Sequence, residues 1–184
     1  MLMDAKASTL VVIDLQERLL PAISGGDEAL RRAGQLIEAA RTLDVPVIVT
    51  EQYPKGLGLT VPAIKAALPN DAPILNKLSF SAGKDPGFLE SWNKRRAEGR
   101  TQVVLCGTET HVCVLQTAAD LKARGAEVFL VADAAGSRTE ANKQAALARL
   151  AGMGVECVTT EMVLFEWLER AGTDQFRTVS KLIR

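Results

Sequence analysis

Short apolar runs recur along this chain at 9–13, 45–50, 103–105, 127–132 and 155–158, with a weaker one opening at Ile74 and Leu75. Their continuity, without polar alternation, is that of strands buried on both faces of a parallel sheet. Between them apolar residues return at helical spacing. Leu30, Ala33, Leu36, Ile37, Ala40 and Leu43 predict an amphipathic helix entered at Asp27. Phe88, Leu89 and Trp92 predict a second over 88–97, and Val114, Thr117, Ala118 and Leu121 a third. Thr139 is the expected N-cap of a fourth, lined by Ala146, Leu150 and Met153. Shorter helices are expected at 62–68, 162–168 and 174–183. This alternation of strand and helix predicts an α/β, three-layer Rossmann-like fold: a parallel sheet of five or six strands with helices on both faces.

The length, 184 residues, suits one domain over 1–184, and no internal repeat or low-complexity segment interrupts it. Apolar residues make up 47% and charged residues 24%, an ordinary globular composition. Basic and acidic side chains balance at 22 each, which leaves no electrostatic footprint for nucleic acid. Residues 1–8 carry charges where a leader needs an apolar core, and no apolar run is long enough to cross a membrane. The expectation is a cytoplasmic protein with a small-molecule substrate. Cys106, Cys113 and Cys157 are odd in number and show no CxxC spacing, so they suggest thiols rather than a disulfide framework or zinc site. Cys106 and Cys157 lie in apolar runs and are expected in the core.

Cys113 is placed differently. It follows the run at 103–105 and the break at Gly107, in the first turn of the next helix. Ligands of open α/β sheets bind at such strand-to-helix turns. The free N–H groups there favour thiolate over thiol and can hold an oxyanion, which makes Cys113 a candidate nucleophile. Asp14 ends the first run and Lys77 lies just past the weak third one, so both can reach the same crevice. A cation beside the thiol and a carboxylate to move its proton complete the set that covalent catalysis needs. The loop at 51–58, fixed by Pro54, Gly56 and Gly58, should overhang the crevice. Gln16, Glu51, Tyr53 and Phe80 are candidate substrate contacts, although Phe80, like Trp92, is equally a candidate for packing.

Three segments carry a resemblance to a known family: Val-Val-Ile-Asp-Leu-Gln around Asp14, Asn-Lys-Leu-Ser-Phe-Ser around Lys77, and Gly-Thr-Glu-Thr-His-Val-Cys-Val around Cys113. With Asp-Ala-Ala-Gly-Ser-Arg at 133–138 and Phe-Glu-Trp-Leu at 165–168, the chain resembles the isochorismatase-like cysteine hydrolases, which include nicotinamidases and N-carbamoylsarcosine amidases. The resemblance implies Cys113 as nucleophile, Asp14 as acid and base, and Lys77 as the stabiliser of thiolate and carboxylate. It implies a cis peptide at Thr108–Glu109 and an oxyanion hole made by the N–H groups of Glu109 and Cys113. The reaction implied is hydrolysis of an amide-like C–N bond through a thioester. Homo-oligomers are implied as well, with Phe165, Trp167 and Phe176 available to an interface or to the core. Nicotinamidases have an Asp-x-His metal site on the loop after the second strand. Here that loop reads Glu-Gln-Tyr-Pro-Lys-Gly-Leu-Gly and the chain has one histidine, so neither metal nor cofactor is implied.

Other readings remain beside this one: a catalytically silent binding protein, a redox sensor using Cys113 with Cys106 to resolve it, or an isochorismatase-type hydrolase. His111, two residues from Cys113, would point away from it on a helix and is expected to touch a neighbouring element. Glu109 is a candidate helix cap, and Asp133 with Arg138 a candidate ion pair.

Overall fold

The computed structural model describes residues 1–183. Six strands form one parallel sheet: β1 (Ser8–Ile13), β2 (Val47–Gln52), β3 (Ile74–Lys77), β4 (Gln102–Thr108), β5 (Glu127–Gly136) and β6 (Glu156–Val158). Their spatial order is β3-β2-β1-β4-β5-β6. The chain runs outward from β1 to one edge, returns to the middle at β4, and runs outward to the other edge. The reversal between β1 and β4 opens a crevice at the carboxyl ends of those two strands.

The eight α-helices among the described residues are α1 (Gly26–Thr42), α2 (Pro54–Leu57), α3 (Pro62–Ala67), α4 (Pro86–Ala97), α5 (Leu115–Ala123), α6 (Glu140–Gly152), α7 (Thr160–Leu168) and α8 (Asp174–Val179). They divide between the two faces of the sheet, giving the three-layer α/β fold. On one face Leu10 and Val12 of β1 pack with Leu36 and Ile37 of α1 and with Leu164 and Trp167 of α7. On the other, Val11 and Ile13 pack with Phe88 and Trp92 of α4, Leu121 of α5 and Leu150 of α6. Alternate β1 side chains thus serve two cores, which is why Leu10 to Ile13 run apolar without alternation.

Several boundaries differ from the sequence reading, and each bears on the crevice. The second strand keeps Glu51 and Gln52 in the sheet, because they pair with Asn76 and Lys77 of β3. Lys77 is therefore the last residue of a strand rather than part of the following loop. The fifth strand continues to Gly136, its pairing with β4 slipping between Leu105 and Gly107. The first long helix begins at Gly26 behind Gly25, which has φ of 69°, so Asp27 lies inside its first turn and does not cap it. Thr139 does cap α6, accepting from the N–H of Asn142. Cys157 is exposed rather than core, because β6 is an edge strand with only Val158 of its three residues buried.

Gly107 shows how closely the two central strands approach. It has φ of 114°, and a Cβ there would lie 2.0 Å from the carbonyl oxygen of Ile13. Only glycine lets β4 pass β1 at this point. Its neighbour Thr108 then donates its hydroxyl to the carbonyl of Asp14 at 2.8 Å, tying the ends of both strands together. No described helix is long and apolar enough to cross a membrane.

Candidate active site

Asp14 leaves β1 in a left-handed conformation, with φ of 49°. Aspartate tolerates that region better than most residues. The turn is fixed from both sides, since the Asp14 N–H donates to the carbonyl of Thr50 and its own carbonyl accepts from Thr108. The carboxylate lies wholly inside the protein. One oxygen accepts the Thr50 hydroxyl at 2.7 Å and the other the Lys77 ammonium at 2.7 Å.

Lys77 reaches Asp14 from two strands away and is 3% exposed. An ammonium has three hydrogens to donate. They go to Asp14, to Oε1 of Gln52 at 2.8 Å, and to the carbonyl of Phe80 at 3.1 Å. No donor is left over for a substrate. Lys77 is therefore a fixed charge at this point, not the snorkelling surface residue usual at strand ends.

Cys113 comes from the other side of the crevice. After β4 the Thr108–Glu109 peptide bond is cis. A single π-helical turn, Thr110–Val114, precedes α5, with the N–H of Val114 donating to the carbonyl of Glu109 at 3.2 Å. The thiol is 5% exposed and within the influence of both Asp14 and Lys77. Burial and then the Asp14 carboxylate push it up to about 12, while Lys77 pulls the other way. This corrects the expectation of a thiolate at a helix end. The helix opens with an irregular turn, and desolvation together with the neighbouring carboxylate outweighs its dipole. The resting group is a thiol beside an ion pair.

Of the candidate substrate contacts, Gln16 and Glu51 are interior scaffolding. Gln16 donates to the carbonyls of Gln52 and Gly58 and accepts from the N–H of Gln52. Glu51 accepts both the N–H and the hydroxyl of Thr60. Gln16 thus has both carboxamide atoms engaged, and Glu51 has its Oε1 committed to Thr60. Tyr53 and Phe80 are the opposite case, 52% and 54% exposed. Phe80 is thus not a packing residue, unlike Trp92, which is buried. Gln52, Thr50 and Thr108 were missed by sequence reasoning. The signal was present in β2, where two polar residues continue a strand whose neighbours end in Asp14 and Lys77.

His111 points to the side, its Nδ1 3.0 Å from the hydroxyl of Ser137. Glu109 does not cap a helix, and Asp133 does not pair with Arg138. Instead Arg138 grips the Glu109 carboxylate through Nε and Nη2, each at 2.8 Å. Asp133 accepts the N–H and hydroxyl of Thr160 and sits 3.5 Å from Arg32. The strand extension to Gly136 separates the two partners expected to meet. Cys106 packs in the core on the face of the sheet opposite Cys113, so it is not placed to resolve an oxidised Cys113. Burial pushes its thiol up to about 12. Among the described residues no group of three or more His, Cys, Asp or Glu could hold a metal ion. A cleft of about 390 Å³ lies between Val45, Pro69 and Arg100 at the amino ends of the strands, away from this chemistry.

Residues 8–162 match the family described as the isochorismatase domain. The chain belongs to the isochorismatase family. Isochorismatase domain-containing protein 2 from Danio rerio is 39% identical over 181 residues, covering 98% of this chain and 89% of its own. The structure titled MAR1 ribonuclease from Caenorhabditis elegans has 38% identity and a TM-score of 0.92, covering all of this chain and 92% of its own. The Escherichia coli YcaC product, titled an octameric hydrolase of unknown specificity, has 26% identity and a TM-score of 0.90, covering 99% and 89%.

In this isochorismatase-family chain the Glu109–Arg138 clamp braces the turn carrying Cys113. Glu109 is 6% exposed, and hydrogen bonding to Arg138 holds its carboxyl below the usual carboxylate range. Arg138→Gln should lower stability at pH 7 by removing charge-assisted bonds from the Glu109 carboxylate, by an amount reduced by solvent at the exposed guanidinium. A depressed native pKa gives stability that is present above the unfolded value of about 4.3 and lost as pH falls through the native one. Urea unfolding of both proteins from pH 7 to 3 should therefore show the difference shrink on acidification. A constant difference would contradict the clamp.

Proposed function

We propose that this chain is a cysteine hydrolase of a small molecule's amide-like C–N bond. The observation that carries the reading is the interior Asp14–Lys77 pair bearing on the Cys113 thiol. In this reading Asp14 takes the thiol proton as sulfur attacks the substrate carbonyl. The carbonyl π pair moves to oxygen, and the oxyanion is held by the N–H groups of Glu109 and Cys113. Collapse re-forms the carbonyl and breaks the C–N bond. The departing amine takes the proton from Asp14, leaving a thioester. Asp14 then removes a proton from water, whose oxygen attacks the thioester. The second collapse releases the acid, and the Cys113 sulfur regains its proton. Lys77 stays charged throughout and offsets the negative charge on whichever of Asp14 and Cys113 is ionised. No cofactor enters.

The MAR1 name raises RNA as a substrate for that protein, while the buried thiol here favours a carbonyl electrophile small enough to enter. The protein should be incubated with a panel of primary amides, N-carbamoyl compounds and single-stranded RNA. At least one amide-like compound should be hydrolysed by the wild type, and Cys113→Ser should slow it about a thousandfold or more with an unchanged circular dichroism spectrum. A variant of comparable rate, or cleavage of RNA alone, would overturn the reading.

The three free thiols suit the reducing conditions of a cytoplasm. We also propose self-association, supported by the octameric YcaC and by exposed Leu78, Phe80 and Tyr53 beside the site. Sedimentation at micromolar concentration should give an oligomer. A single-chain species would contradict this.

A further inference from the structure

Gln52 stands at the centre of a hydrogen-bonded clasp that no substrate-facing role requires. We infer that Gln52 is a positioning residue, whose main chain is held by Gln16 and whose carboxamide, anchored on the Leu78 carbonyl, fixes the Lys77 ammonium against Asp14. This rests on the hydrolase reading for its purpose, while its evidence is geometric. Every polar atom of Gln52 is engaged. Its N–H donates to Oε1 of Gln16 at 2.7 Å, its carbonyl accepts Nε2 of Gln16 at 3.0 Å, and its Nε2 donates to the carbonyl of Leu78 at 2.8 Å. The remaining atom, Oε1, faces Lys77 at 2.8 Å.

The orientation of the carboxamide follows from these partners. The carbonyl of Leu78 can only accept, so it selects the NH₂ end of Gln52 and leaves the oxygen for the ammonium. Gln16 in turn is tied to Gly58, so the clasp joins the segments following β1, β2 and β3 at one point. A lysine has a flexible four-carbon stem, and Asp14 alone would set its distance but not its direction. Two further acceptors, Gln52 and the Phe80 carbonyl, define the direction. An ammonium so held keeps its charge beside the thiol at no cost in reorganisation when the thiolate forms.

The test uses the whole protein and iodoacetamide as probe, with labelling of each cysteine read by peptide mass. Gln52→Met matches the shape and removes the acceptor. Lys77 favours the thiolate of Cys113, so releasing it should slow labelling of Cys113 at pH 8 by about tenfold, while exposed Cys157 labels at its wild-type rate. A purely structural loss would act in the opposite direction, since loosening exposes a buried thiol and speeds its labelling. The second measurement follows the ¹⁵N-lysine ammonium resonance of Lys77, protected from solvent exchange in the wild type and losing that protection in Gln52→Met. Faster labelling at Cys113, or an unchanged rate with an unchanged Lys77 resonance, overturns the assignment. If Gln52→Met fails to fold, Gln52→Leu and Gln52→Asn are read in the same way. Failure of the wild type to hydrolyse any amide would sink the hydrolase reading alone, because neither readout here depends on turnover.

Discussion

The ion pair between Asp14 and Lys77 is the constraint on which the crevice is built. Two opposite charges without solvent are tolerated only when every donor and acceptor around them is used. Thr50 supplies the second carboxylate bond, and Gln52 and the Phe80 carbonyl complete the ammonium. Those partners come from the ends of β2 and from the segment after β3, so the requirements of one buried pair organise three neighbouring strand ends. The left-handed turn at Asp14 and the hydroxyl of Thr108 on its carbonyl extend the same constraint to β4 and the turn that bears Cys113.

The pair also explains the state of the thiol. A lone cation would draw Cys113 toward thiolate, and a lone carboxylate would hold its proton. Here the cation is already neutralised by the carboxylate, and burial decides. The site therefore keeps the Cys113 thiol protonated, with the Asp14 carboxylate adjacent. Glu109 is part of the same turn yet electrically separate, its charge answered by Arg138 from the far end of β5.

Much of this was legible in the sequence. Continuous apolar runs announced a doubly covered parallel sheet, and Asp14, Lys77 and Cys113 stand out as reactive residues at or just beyond the ends of those runs. What escaped was the pairing of polar residues with one another. Gln16 and Glu51 carry the same functional groups as substrate ligands, and only the folded chain reveals that the Gln16 carboxamide and one Glu51 oxygen are consumed inside the protein. Asp133 and Arg138 read in the sequence as an ion pair at a strand end. The slip in pairing between β4 and β5 sends Arg138 to Glu109 instead. The protonated state of Cys113 is likewise not legible in the sequence. A helix terminus can be read from sequence, but the loss of water around a side chain cannot.

The central claim is that Cys113 rests as a thiol beside a preformed ion pair. It is tested most directly by ultraviolet thiolate absorbance, taken as the difference between wild type and Cys113→Ser across a pH titration. The account predicts no thiolate signal from Cys113 at pH 7, and none until well above the ordinary cysteine value of about 8.5. A Cys113 thiolate band already present at pH 6–7 would contradict it, and would mean that Lys77 serves the sulfur rather than Asp14.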